Sequence, residues 1–320
     1  MSEQQSDLRA SVESAGKKRR NIVIGAAGVA VVALVAGGAV IAANLGGGGD
    51  AGASAAEERL SLRLAVGEDN AYTDAVVASA ADLGLDLEYV NVADWVLPNT
   101  EVASGEFDGN AFQHITYLST FNAENGKDLT PQFSTIIVQW GVFSSTLESL
   151  DDLGRGARIA LPDDPSNLGR ALLILESAGV IEVDDAAGIK PTVDDVTDNP
   201  LGVEFVQIAA LTIPQQFDDP SLDAVVVGTS YFDPKQGVTA DDALFIDDAL
   251  AETSLPYVNV VASRADNADD PAWAVLEEAY RDERVRDAIE EEFFGTTIPV
   301  DVPVDTLRER LAELEASASA

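Results

Sequence analysis

Residues 158–181 read RIALPDDPSNLGRALLILESAGVI, and the order of apolar and breaker residues in them decides the local architecture. Arg158–Leu161 is a short apolar run of strand length. Asp164-Pro165-Ser166 is a turn, and Asn167–Ala178 is a long apolar helix whose start offers exposed amide groups. A strand that feeds directly into a helix is half of a βαβ unit.

The same alternation continues on both sides. Downstream, Thr192–Val196, Val203–Ile208, a helix near Pro214–Phe217 and the strand Ala224–Val227 complete one α/β unit. Upstream, Leu60–Val66 (LSLRLAV) and Leu85–Val92 (LDLEYVNV) read as strands, with a turn at 67–70 and a helix over Asp74–Leu83 between them. A short helix follows Pro98-Asn99 and leads into Gly105–Ala111, and Ile115–Asn125 is helical. Ile136–Ser144 (IIVQWGVFS) is one continuous apolar run, suited to a strand buried on both faces. Ser149–Leu153 resembles a capped turn and Tyr257–Ala262 a further strand. Pro271–Glu291 and Val304–Ala316 read as amphipathic closing helices.

Strands spaced by helices predict an α/β fold with mostly parallel sheets covered on both faces. Two such units within residues 60–320 predict two lobes, residues 60–147 with 250–320 forming one and residues 148–249 the other. Ligands of open α/β sheets sit beyond the carboxyl ends of the strands, and a cleft between lobes is a common site.

Residues 1–59 stand apart. A polar segment ends in the basic block Lys17-Lys18-Arg19-Arg20 (residues 1–20 together), followed by Asn21–Ala43, which carries no charge. At about 1.5 Å rise per residue this segment spans a hydrocarbon core of about 30 Å. Basic residues before it and none just after it predict a cytoplasmic N-terminus and an extracytoplasmic domain, hence a single-pass protein of the cell membrane. Its length favours a retained anchor, while Ala51-Gly52-Ala53 and Ala53-Ser54-Ala55 keep cleavage open. Residues 44–59 read as a flexible linker.

Composition narrows the chemistry. The chain has no cysteine, which removes disulfides, thiolate metal sites and a Cys nucleophile, and one histidine, which removes His-rich metal sites. The formal charge of −37 falls wholly on residues 60–320, since the first 59 residues balance six basic against six acidic side chains. A domain this acidic repels phosphate backbones, so nucleic acid is not an expected partner. The sequence contains no G-x-S-x-G elbow, no G-x-x-x-x-G-K-[ST], no H-E-x-x-H and no G-x-G-x-x-G after a strand. No catalytic residue, metal or cofactor is expected, and the protein is not read as an enzyme.

Three strand-to-helix junctions carry the informative residues. Asn110–Leu118 (NAFQHITYL) holds the only histidine and two aromatics. Phe112, His114 and Tyr117 can line an apolar pocket with polar tips, or be a core Phe and Tyr beside a backbone-bonded His. Trp95 and Trp140 each lie at or just after a strand-like run, where core is the commoner role. In the second junction Arg170 stands in the first turn of an apolar helix, against the helix dipole. An anion held between the guanidinium and the helix start would resolve this, with Asn167 on the same face; so would a surface ion pair with Asp163 or Asp164. The third junction, Ala224–Tyr231, ends an apolar strand in Gly228-Thr229-Ser230. Small polar residues at a strand end suit hydrogen bonds to a small molecule, but strand ends routinely carry them.

At these junctions the chain resembles the NlpA family. GEFDGNAFQHITYL (105–118), SLDDLGRGARIALPDDPSNLGRALLILESAGVI (149–181) and VDDVTDNP (193–200) carry the resemblance, together with Pro98-Asn99 and Asp242–Phe245. It runs across most of residues 60–310. The members are methionine-binding receptor proteins of ABC importers, usually lipid-anchored. The resemblance implies a type II periplasmic-binding-protein fold, with a hinge and a free amino acid clamped between the lobes, and an ABC permease and ATPase as partners. It places Phe112, His114 and Tyr117 in the side-chain pocket, Trp95 beside them, and Arg170 with Asn167 at the ligand carboxylate.

Two departures accompany it. The family usually reads close to V-I-N-x-N-Y where this chain has Val226–Tyr231, so Gly228 and Ser230 replace two ligand-bonding Asn residues. Losing one buried hydrogen bond costs about 0.5–1.5 kcal/mol. Either affinity falls, or water or another residue substitutes, or the ligand is not methionine but another amino acid or a short peptide. The lipid-bearing Cys is also missing, and the apolar segment 21–43 is a physical replacement for it. A surface interaction or adhesion protein on the same fold is the alternative class.

Overall fold

A computed structural model describes residues 59–92 and 94–318. The expected membrane segment Asn21–Ala43 and most of the linker lie outside them. Among the described residues no helix is long and apolar enough to cross a membrane.

The described part begins with strand β1 (Leu60–Val66), helix α1 (Ala71–Asp82), β2 (Leu85–Asn91), α2 (Leu97–Ser104), β3 (Gly109–His114), α3 (Ile115–Asn125) and β4 (Thr130–Ser134). Asn70 and Thr73 form a capping box that starts α1, and Gly126 in the left-handed conformation ends α3. Two short strands, β5 (Ile136–Val138) and β6 (Trp140–Phe143), lead into β7 (Arg158–Pro162) and α4 (Pro165–Ser177). β8 (Glu182–Val183), β9 (Val196–Asp198), β10 (Glu204–Ile208), β11 (Ala224–Gly228) and β12 (Ala243–Ile246) follow, with short 3₁₀ turns between them. β13 (Asn259–Ser263), α5 (Ala272–Tyr280), α6 (Glu283–Phe293), β14 (Thr297–Pro299) and α7 (Val304–Ala318) complete the chain.

Two five-stranded sheets organise these elements, ordered β2-β1-β3-β13-β4 and β10-β7-β11-β6-β12. Each has a parallel half (β2-β1-β3; β10-β7-β11) and an antiparallel half (β3-β13-β4; β11-β6-β12). The sheets are therefore mixed, where the sequence led us to expect mostly parallel ones. In the first, the chain leaves after β4 and re-enters at β13, antiparallel to the strands it left; in the second, the entering strand β6 runs antiparallel to β11 and β12.

Both sheets are covered on both faces. Leu62 and Leu64 of β1 pack with α1, α5 and α6, through Val76, Leu276 and Val285. Ala65 faces the other way, toward Ile115 and Leu118 of α3 and Leu307 of α7. In β11 the alternation is equally clean. Ala224 and Val226 join Leu168 and Leu172 of α4, while Val225 and Val227 join Ile213 and Phe232 opposite. Double-sided burial is why β11 reads as an unbroken apolar run.

The run Ile136–Ser144 is not one strand. Ile136–Val138 pairs with β14, whereas Trp140–Phe143 pairs in the second sheet. Between them the amide of Gln139 donates to Thr296 O at 2.9 Å. The chain thus crosses between sheets at Gln139, earlier than the 147/148 boundary expected, and returns between Ile246 and Asn259. Pro271–Glu291 is likewise two helices. Asp282 is extended and its carboxylate caps the amide of Arg284, which starts a new helix instead of continuing the old one.

Candidate functional site

The three junctions singled out from sequence converge on one cavity between the sheets, of about 150 Å³. Trp95, Phe112, His114 and Tyr117 line it from the first half, and Asn167, Arg170 and Ser230 from the second. Gly228 does not line it. It lies beneath Trp140, whose Nε1 would be 2.8 Å from a Cβ placed on that glycine.

The β3–α3 junction aims His114 by capping. Its backbone is extended, and its Nδ1 accepts the amide of Tyr117 at 3.1 Å. The ring proton therefore sits on Nε2, which faces Asn167 Oδ1 at 3.1 Å. Asn167 is oriented in turn from its own side. Its Nδ2 donates to both carboxylate oxygens of Asp164, at 3.1 and 3.0 Å, leaving Oδ1 for the histidine. Burial, and next the Arg170 charge, push the His114 pKa down from 6.5 to about 3, so the ring is neutral.

Aromatic rings form the wall around this pair. Trp95 meets Tyr117 edge-on at 6.1 Å and Tyr231 at 5.6 Å, the latter contact joining the two halves. Phe112 packs edge-on to Tyr117 at 5.9 Å, and the Tyr117 hydroxyl donates to Trp95 O at 3.0 Å. Below the wall, Asn99, Asn110 and Gln113 form a closed, fully buried amide cluster with contacts of 2.6–2.9 Å. The Pro-Asn dipeptide and the N-x-x-Q spacing thus act in holding α2 against β3. Sequence reading noticed these residues without finding that role.

Arg170 departs from the expectation in two ways. Asp164 caps α4 and Pro165 is its first residue, so Arg170 lies in the second turn, where the dipole argument weakens. Its ion pair is with neither Asp163 nor Asp164. The residue is buried at 2% exposure, and Nη2 donates to Val138 O at 2.8 Å and to Asp247 Oδ2 at 3.3 Å. Its Cζ lies 4.8 Å from the Trp140 ring centre and 4.5 Å from that of Tyr257. Burial raises the pKa of Asp247, an effect opposed by Arg170. Arg170 Nε is buried and has no hydrogen-bond acceptor. A buried charged donor without an acceptor, beside a cavity, is chemically able to receive an anionic group.

Sequence reasoning missed Trp140, Tyr231, Tyr257 and Asp247 as parts of this site. Trp140 sits in an apolar run and Asp247 among many acidic residues, so neither carried a local signal. Among the described residues no group of three or more His, Asp or Glu could hold a metal ion.

Comparison with known proteins places this architecture. The profile of the NlpA lipoprotein family matches residues 63–301. The D-methionine-binding lipoprotein MetQ of Yersinia pestis is 36% identical over 215 residues, covering 67% of this chain and 78% of that protein. A nutrient-binding protein from Burkholderia cenocepacia, solved bound to methionine, has a TM-score of 0.69 and 31% identity, over 75% of this chain and 99% of that one. A periplasmic substrate-binding protein of an ABC transporter from Coxiella burnetii has a TM-score of 0.67 and 29% identity, over 75% and 100%. With the family profile spanning both sheets and the cavity between them, the chain belongs to the NlpA lipoprotein family.

Proposed function

We propose that this protein is the solute-binding component of an ABC importer and that it binds methionine, or a close derivative, in the cavity between its sheets. One observation carries the reading: Arg170 Nε is buried without an acceptor at the floor of a cavity walled by aromatic rings. Arg170 takes the ligand carboxylate, with Asn167 beside it. Trp95, Phe112, His114 and Tyr117 enclose the side chain, and Ser230 closes the second side. A thioether suits such rings through sulfur–aromatic contacts of about 0.3–1.5 kcal/mol. Family membership and a methionine-bound relative support the same ligand.

The two halves act as lobes, with Thr135–Gln139 and Asp247–Val258 as the crossings about which they open. A ligand touching both halves favours the closed arrangement by its differential affinity, and no chemical step is involved. The closed form delivers to a membrane permease driven by a cytoplasmic ATPase. Asn21–Ala43, an uncharged segment long enough to span a bilayer, attaches the domain to the outer side of the membrane.

Calorimetry on the full-length protein with both enantiomers of methionine and a panel of other amino acids and dipeptides tests this. Binding of either methionine enantiomer is expected. Silence across the panel overturns the proposal.

A further inference from the structure

Trp140 stands directly on Gly228. The two residues are partners across β6 and β11, and a Cβ on Gly228 would lie 2.8 Å from the indole Nε1 and 3.3 Å from Cδ1 and Cε2. Atoms that close cannot coexist, so this indole position requires the absence of a side chain at 228. The glycine has an ordinary φ of −68°. Its use here answers to space, not to backbone conformation.

The indole is also held from its other sides. Its backbone amide donates to Asp247 Oδ1 at 2.9 Å, and the other oxygen of the same carboxylate faces Arg170 at 3.3 Å. One side chain therefore positions both the ring and the guanidinium that packs over it. Tyr231 closes the edge at 5.9 Å. Trp140 is only 1% exposed, yet it lines the cavity. Arg170 Nε, on the guanidinium that packs over this ring, is buried without an acceptor, and the indole Nε1–H is a second donor beside it. Two adjacent donors, one of them buried without an acceptor, can seat one anionic group.

We propose that Trp140 and Gly228 are a size-exchanged pair: the indole fills the room a side chain at 228 would need, and its Nε1–H donates, beside Arg170 Nε, to the carboxylate of the bound amino acid. The proposal rests on the amino-acid-binding reading and assigns a further specificity residue to it. Trp140 supplies the donor that Gly228 cannot, and a ligand lacking a free carboxylate, such as methioninamide, is rejected.

The test is a double-mutant cycle on the full-length protein, read by calorimetry with methionine and by thermal melting without ligand. Trp140→Phe keeps a ring between Arg170 and Gly228 but has no donor, and is expected to bind methionine at least about tenfold more weakly. Gly228→Asn alone displaces the indole, so it should lose binding and melt lower. Adding Trp140→Leu to it should restore melting and at least about tenfold in affinity relative to Gly228→Asn alone. Unchanged affinity in Trp140→Phe overturns the donor role. Melting shifts that merely add across the cycle overturn the exchange, and this arm reads out even if Gly228→Asn is too unstable to bind. A wild-type protein that binds no amino acid sinks the functional reading instead, while the melting cycle still decides the packing pair.

Discussion

His114 and Asn167 tie the two halves of the molecule together through a single hydrogen bond, Nε2 to Oδ1 at 3.1 Å. Both side chains are buried, and each is aimed by the helix start it belongs to: His114 caps α3, and Asn167 leans on the cap of α4. Two helix N-termini from different sheets thus meet head to head at the cavity. The contact is polar, neutral and geometrically fixed, which suits a junction that must form and break.

Removing that bond should loosen the closed arrangement. Asn167→Leu leaves the His114 Nε2–H buried without an acceptor, at a cost of about 1–3 kcal/mol. Urea unfolding of the variant should show that loss, and methionine affinity should fall with it. A variant as stable as the wild type would mean that the halves are held together elsewhere, for example by Lys190 and the hydroxyls of Ser119 and Thr120.

His114 should also shape the response to acid. The unfolded chain takes up a proton on this residue near pH 6.5, whereas the native ring does so only near pH 3. Its contribution to stability is therefore complete above pH 6.5 and declines as the pH falls from there toward 3, by at most about 1.4 kcal/mol per pH unit. Asp247, whose pKa is raised, works in the opposite sense, losing stability as pH rises. Comparing wild type with His114→Gln isolates the histidine. The variant should have a shallower decline between pH 6 and about 4, and parallel curves would refute the assignment.

Arg170 carries both structure and binding, and the two can be separated. Arg170→Met leaves the Asp247 carboxylate buried without its cation, so a loss of about 3–5 kcal/mol is expected in denaturant unfolding, together with loss of methionine binding. Adding Asp247→Asn removes the stranded charge and should recover much of the stability but none of the binding. Binding by the double variant would show that the carboxylate is held by other groups.

Gly169 offers a check on packing whose sign runs against helix propensity. Replacing a helical glycine with alanine ordinarily stabilises by about 0.5–1 kcal/mol. Here the new Cβ would sit 2.9 Å from the Lys190 Cα and 3.2 Å from Ile189 O, both backbone atoms. Gly169→Ala is therefore expected to destabilise by about 1–3 kcal/mol. A rise in melting temperature would mean that the 189–190 segment yields easily.

Much of the fold was legible locally. Leu60–Val66 and Ile115–Asn125 have the bounds read from their periodicity, and the three junctions proposed from composition all reach one cavity. What periodicity reports is which residues are buried, not against what. Ile136–Ser144 is apolar throughout whether it forms one strand or two, so its division between the sheets at Gln139 left no local trace. Strand direction is equally silent, because parallel and antiparallel strands buried on both faces share the same apolar pattern.

The amino-acid order by itself determined the alternating elements, their caps and the residue types delivered to the strand ends, since these depend on neighbours a few positions apart. The partners of those residues came from tertiary structure alone. Asp247 lies 77 residues from Arg170, and Trp140 reaches Gly228 only because β6 and β11 run side by side. Contacts of that kind are set by which strands become neighbours, a property of the assembled sheet that no stretch of chain contains.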